Sequence, residues 1–336
     1  MKRQSGLYPQ IYDFTNIENA YRKARRNKRY FNEVLRYTAN LEENLINLQN
    51  HLIWKSYTQG EHRHFTVTEP KKRQISALPF RDRVAQHAIN NILEPIFDKR
   101  FYYHSYACRA GKGTHKASAQ LKNWIRNLTF EGKPLFALKA DIRNYFASVD
   151  HARLKILLRR VIKDVDTLWL CDQIIDNGGE AGRGIPVGNL TSQLFANIYL
   201  DALDKFIKED LRVKYYIRYM DDFVILSHDK RELQRNLEEI RGFLFSALAL
   251  EFNPKTCILN TKNGVDFCGY RHFFSYKKVR KRSVRAMQRK VRAFHNGKIS
   301  KEDFIKSVKS WLGHIQHADT YRLRRRMIKR IRGDPG

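Results

Sequence analysis

Three aspartates carry the chemistry this sequence could perform. Asp141 closes the apolar run Leu135 to Ala140, and Asp221 and Asp222 form an acidic break between YYIR and FVIL. An Asp-Asp pair alone is expected about once by chance in a chain of this length, and such a pair in a turn is usually solvated. The apolar flanks change the reading. They predict a strand, a tight acidic turn and a second strand, and a strand ending at Asp141 could pair with that hairpin and bring Asp141 close to Asp221. Carboxylates converging at strand ends repel one another unless a cation neutralises them, and their hard oxygens suit Mg²⁺, with Mn²⁺ as an alternative. Two ions about 3.5–4 Å apart are the usual device for in-line nucleotidyl transfer.

The charge agrees with a polyanionic partner. Lys and Arg number 64 against 34 Asp and Glu, a net charge of +30 over 336 residues. An ordinary metabolic enzyme has no use for such an excess, and nucleic acid is the favoured partner. At 42% apolar and 12% aromatic the chain can bury a core, and its length suggests about two domains. No run reaches 18 apolar residues, so no transmembrane helix is expected, and the first residues lack a signal-peptide core. Cys108, Cys171, Cys257 and Cys268 are scattered, which argues against a zinc knuckle or a disulfide scaffold. The expectation is a cytoplasmic protein with reduced thiols and no membrane partner.

The elements that must hold these residues follow from periodicity. Residues 11–60 show helical spacing and 64–80 two short strands around a basic turn; 82–101 is helical, and 105–125 is a glycine-rich loop entering a helix. After the Asp141 strand, 151–176 is helical, 177–207 is a glycine-rich loop and helix, 231–248 is an amphipathic helix, and 257–274 reads as a small hairpin. Residues 271–336 hold 21 Lys and Arg against four acids, more than half the net charge, beside an apolar stripe that includes Trp311, Ile315 and Ile328. That composition predicts a small basic helical module that contacts nucleic acid.

YMDD (219–222) resembles the signature catalytic turn of the reverse transcriptases. KADIRNYFASVDH (139–151) is similar to their first catalytic motif, GIPVGNLTSQLFANIYLD (184–201) to their nucleotide-binding loop and helix, LEFNPKT (250–256) to the motif that follows, and DFCGYRHF (266–273) to the primer-grip hairpin. The resemblance implies an α+β right-hand polymerase with fingers, an antiparallel-sheet palm and a helical thumb. Its expected divisions are an N-terminal helical extension (1–60), fingers (61–132), palm (133–274, with about 151–180 shared with the fingers) and thumb (275–336). It implies RNA-directed DNA synthesis on template RNA, primer, cDNA and dNTPs. Asp141, Asp221, Asp222 and the Ile142 carbonyl would bind two Mg²⁺. Lys255 would neutralise or protonate the leaving pyrophosphate, and Lys72 and Arg73 would grip the triphosphate. Phe146 would block a 2′-hydroxyl while Tyr145 packs inward, and Val187, Gly188 and Gln193 would line the nucleotide.

Intron-encoded relatives read P-Q-G…S-P in that loop, whereas this chain has Val187 for the glutamine and Gln193 for the proline. With SYACRAGKGTHKA (105–117) and PFRDRVAQHAI (79–89), this resembles the reverse transcriptases of diversity-generating retroelements. Those copy a template-repeat RNA into cDNA mutated at adenines, with a small basic accessory variability protein. A retron or phage-defence enzyme is an alternative, as is a catalytically idle RNA-binding protein; Phe146 argues against an RNA-dependent RNA polymerase. His62 and His64 lack partners at metal-site spacing and are expected at the surface or on RNA backbone, and GKGTH (111–115) is expected to touch template. RNase H, integrase and H-N-H activities are expected from elsewhere.

Overall fold

The computed structural model describes residues 3–67 and 73–332. In chain order the elements are α1 (Tyr8–Tyr12), α2 (Phe14–Ala24), α3 (Asn32–Ala39), α4 (Leu41–Ile53), β1 (Arg63–Val67), β2 (Arg73–Ala77), α5 (Phe80–Asp98) and α6 (Thr114–Thr129). Next come β3 (Phe136–Asp141), α7 (Tyr145–Ser148), α8 (His151–Arg159), α9 (Val165–Asp176), α10 (Leu190–Lys205), β4 (Tyr215–Tyr219), β5 (Asp222–Ser227) and α11 (Lys230–Leu248). The chain closes with β6 (Cys257–Asn260), β7 (Val265–Phe267), β8 (Tyr270–His272), β9 (Lys277–Val279), α12 (Lys281–His295), α13 (Lys301–Ile315) and α14 (Tyr321–Arg332). The architecture is mixed α+β, and the chain divides into two compact units.

The first unit comprises residues 1–103, 142–212 and 239–254. Its helices bury Ile11, Ile17, Leu48, Val84, Ile89 and Leu93. Asp164 caps α9 and also accepts the Leu7 and Tyr8 N–H groups at 2.7 and 2.9 Å, which pins the N-terminal segment. Fully buried Asp82 accepts from the Tyr57 hydroxyl at 2.9 Å and the Gly60 N–H at 3.0 Å. β1 and β2 form an antiparallel ribbon, and every residue of β1 is exposed.

The second unit comprises residues 104–141, 213–238 and 255–336. It holds an antiparallel sheet in the order β4-β5-β3-β6. Ala137 and Val224 face Ile217 on one side of this sheet and pack with Leu121, Ile125 and Leu128 of α6. Because side chains alternate along a strand, the register places Lys139, Asp141 and Asp222 on that same face, at its polar end. Residues 257–274 depart from the expected hairpin. β6 joins the edge of β3, while β7 pairs with β8 and β8 with β9 in a separate three-stranded sheet. Asn260 ends β6 by accepting the Lys262 N–H at 2.9 Å, and that local side-chain cap breaks one apparent hairpin into two elements.

The basic module is the helical trio α12, α13 and α14. Met287, Val291, Phe304, Trp311, Ile315 and Met327 form its core, and the Trp311 indole donates to Ser283 at 3.2 Å. Its cations occupy the other faces of amphipathic helices, which is why the segment folds despite its charge.

Candidate active site

The carboxylates meet because of strand register. Asp141 and Asp222 are direct partners across the β3–β5 ladder, and Tyr219 pairs with Asp222 across β4–β5. Met220 and Asp221 therefore form a two-residue turn, with Met220 held at φ +56°. A non-glycine residue in that region is uncommon, and such conformations gather at functional sites. Arg218, fully buried, donates to the Met220 carbonyl at 3.1 Å and braces the turn. The register sets Asp222, rather than Asp221, opposite Asp141.

Asp222 is half-buried, and its Oδ1 is held by an ion pair with Lys139 Nζ at 3.3 Å. Burial raises its pKa to about 6, against the pull of Lys139 and Arg280, while the charge of Asp141 pushes it further up. The Asp141 N–H donates to the Thr256 hydroxyl at 3.3 Å, so the residue after Lys255 is tied to the end of β3.

The residues that the resemblance assigns to the nucleotide belong to the other unit. Tyr145 is buried with its hydroxyl on the Ala196 carbonyl, whereas neighbouring Phe146 is half-exposed. The Phe146 carbonyl accepts the Ile185 N–H at 2.8 Å, joining the two motifs. Ser76 donates its N–H to the Val187 carbonyl at 3.0 Å, so the strand pair containing Arg73 holds the loop. Gly188 has φ +117°, and a Cβ there would come within 2.9 Å of Ile75. Asn189 donates to His62 at 3.1 Å, and Leu190 donates to Gln86 at 3.1 Å. Gln193 is exposed in the first turn of α10, and Ile142 is buried and bridged to Phe252. Lys72 lies outside the described residues. Each set is gathered within its own unit, and the chain leaves one for the other at the Asp141–Ile142 peptide. Sequence reasoning missed Arg218, Thr256, Gln86 and the His62–Asn189 bond.

Among the described residues no group of three or more His, Cys, Asp or Glu side chains forms a metal cage. The facing pair still fits a hard divalent cation. Its donors are all oxygen, the Asp222 Oδ1 already draws a cation, the Lys139 ammonium at 3.3 Å, and Mg²⁺ commonly takes one or two protein carboxylates and completes its shell from water and phosphate.

A pH test follows from Asp222. A carboxyl that titrates higher when folded holds its proton more tightly in the folded state, so its contribution is present at low pH and lost as pH rises through about 6. In EDTA, the melting temperature of wild type relative to Asp222→Asn should fall as pH rises from roughly 4 to 6. A difference that rises over that window would contradict this environment for Asp222.

Comparison with known proteins defines the class first. The fold is that of a right-hand polymerase: the chain aligns with telomerase from Candida albicans, solved with a fragment of telomeric RNA, at TM-score 0.52 and 14% identity, covering 77% of this chain and 55% of that one. The chain belongs to the reverse transcriptase (RNA-dependent DNA polymerase) family, whose model matches residues 66–272. It is 28% identical to Protein YkfC of Escherichia coli over 60% of this chain, and 28% identical to the group II intron-encoded protein LtrA of Lactococcus lactis over 55%. These matches span 63% and 32% of the relatives' own lengths. Among the described residues no helix is long and apolar enough to cross a membrane.

Proposed function

We propose that the chain is an RNA-directed DNA polymerase that joins dNTPs to a primer on template RNA. The observation that carries this reading is the Asp141–Asp222 ladder pair, set at the end of an antiparallel sheet within the family-matched region. Asp141 and Asp222, with Asp221 from the turn and the Ile142 carbonyl, would hold two Mg²⁺. Bound there, the ions lower the pKa of the primer 3′-hydroxyl and neutralise charge on the triphosphate. By the family resemblance, Lys72 and Arg73 would grip the phosphates, and Lys255 would meet the charge of the departing pyrophosphate. The resemblance implies that the Phe146 ring would oppose a 2′-hydroxyl and that Val187, Gly188 and Gln193 would border the nucleotide. Extension of a DNA primer on an RNA template tests the reading.

The basic module would hold primer–template through its backbone. If six to ten phosphates are neutralised, affinity should fall roughly 10³–10⁵-fold between about 50 and 200 mM salt. Fluorescence anisotropy with a labelled heteroduplex checks this, and a nearly flat salt response would assign the surface to a protein partner.

Within the family we place the chain with the diversity-generating retroelement enzymes, working with a small basic accessory protein and copying a template repeat with errors at adenine. Val187 and Gln193 support this placement. Valine packs but cannot hydrogen-bond, and one neutral hydrogen bond is worth about 0.5–1.5 kcal/mol, roughly threefold to tenfold in discrimination. Misincorporation should be highest opposite template A, and Val187→Gln should lower it several-fold, as read by sequencing cDNA made by the purified protein. Equal errors at all four bases would favour a retron or phage-defence role.

A further inference from the structure

We propose that the exposed Phe130 and Phe274 form a platform that stacks bases of single-stranded template RNA. Phe130 follows the last turn of α6 and is 72% exposed; Phe274, in the turn between β8 and β9, is 37% exposed. Their rings meet edge to face with centroids 5.1 Å apart. Two phenyl groups in mutual contact and open to water leave an apolar surface that a flat apolar partner would cover.

The turn is built to present this surface. The Phe273 N–H donates to the Tyr276 carbonyl at 2.9 Å, closing residues 273–276. The Phe273 and Tyr276 rings stack at 4.6 Å, with Lys278 Nζ 5.6 and 5.1 Å from their centroids. Phe273 is seated on Gly264, where an added Cβ would stand 2.7 Å from the ring. Phe274 is thereby held outward on a turn fixed by its neighbours.

The surroundings select the occupant. Arg271 and Lys278 are exposed on the strands that flank the Phe274 turn, and Lys133 is exposed three residues after Phe130. Asp266 pairs with Arg271 at 4.0 Å and Glu131 lies 3.1 Å from the His228 ring, so of these cations Lys278 and Lys133 remain to meet a phosphate backbone. Cations that track a phosphate backbone beside aromatic faces that take bases are the means by which proteins bind unpaired strands without reading sequence. In RNA-templated synthesis the nascent DNA is paired as it forms, so the unpaired strand is template RNA. The inference rests on the polymerase reading for that choice.

The test uses the full chain and a labelled, unstructured 15-nucleotide RNA at fixed salt. Phe130→Ala/Phe274→Ala should weaken RNA binding about fivefold or more, and leave affinity for a blunt RNA–DNA heteroduplex and incorporation on a short primer–template within twofold. Phe130→Leu/Phe274→Leu keeps apolar bulk without aromatic faces, and it should lose RNA binding to a similar extent. Unchanged RNA affinity in the Ala variant, full retention in the Leu variant, or a wild-type dimer that the Ala variant dissociates would each overturn the platform. If wild type incorporates no dNTP yet the variants still lose RNA binding, the polymerase reading fails and the platform stands.

Discussion

Asp141→Asn and Asp222→Asn should each abolish nucleotide incorporation, lowering the rate by about 10³-fold or more, because metal stabilisation of a phosphoryl-transfer transition state is worth several kcal/mol. The two side chains face each other across one ladder pair, so each substitution removes half of a facing pair of oxygen donors. Asparagine keeps the shape and loses the charge. Asp222→Asn also leaves Lys139 with a neutral neighbour at 3.3 Å in place of a carboxylate. Heteroduplex affinity should be nearly unchanged in both variants, which separates loss of chemistry from loss of binding. Asp221→Asn should be severe too, since Asp221 sits in the turn braced by Arg218. Single-turnover incorporation measures all three, and activity within tenfold of wild type for Asp141→Asn or Asp222→Asn would remove the carboxylate pair from the mechanism.

Phe146→Ala should admit ribonucleotides, raising the rNTP to dNTP ratio of kcat/KM by about 10²-fold, because the variant loses the bulk that would oppose a 2′-hydroxyl. The two adjacent aromatics differ in a way that makes the test clean. Tyr145 is buried and bonded through its hydroxyl to α10, so its removal should cost stability. Phe146 is half-exposed and held by its carbonyl, which alanine also offers to Ile185. The variant should therefore stay folded and incorporate dNTPs, and competition between rNTP and dNTP gives the ratio directly. An unchanged ratio would make Phe146 a packing residue.

The acidic hairpin is legible in the sequence because two adjacent carboxylates between two apolar runs mark a turn: neither aspartate could sit inside a buried strand without a partner for its charge. The β-pairing that completes it is only partly legible. Periodicity marks a strand but not its partner, so the alignment of Asp141 with Asp222 instead of Asp221 emerges only from the ladder. β6 reads as part of a hairpin with β7 and β8 because four residues, none of them buried, carry little signal beside a stronger turn at Gly264. Arg218 escapes notice for a reason particular to this composition. Among 64 cations, one arginine reads as a solvated charge, and nothing local marks it as buried. The Thr256 hydroxyl and the His62–Asn189 bond join residues more than 100 positions apart, a separation at which single-sequence patterns are silent. The basic helical module is legible as helices, since Trp311 and Ile315 keep their spacing through the charge.

Copying of RNA into DNA is tested most directly by extension of a labelled DNA primer annealed to an RNA template. Purified protein, four dNTPs and Mg²⁺ are sampled over time beside an EDTA control. Products should lengthen to the end of the template, require all four dNTPs and vanish with EDTA. Failure to extend a primer–template that the protein demonstrably binds, or extension with rNTPs in preference to dNTPs, would contradict an RNA-directed DNA polymerase.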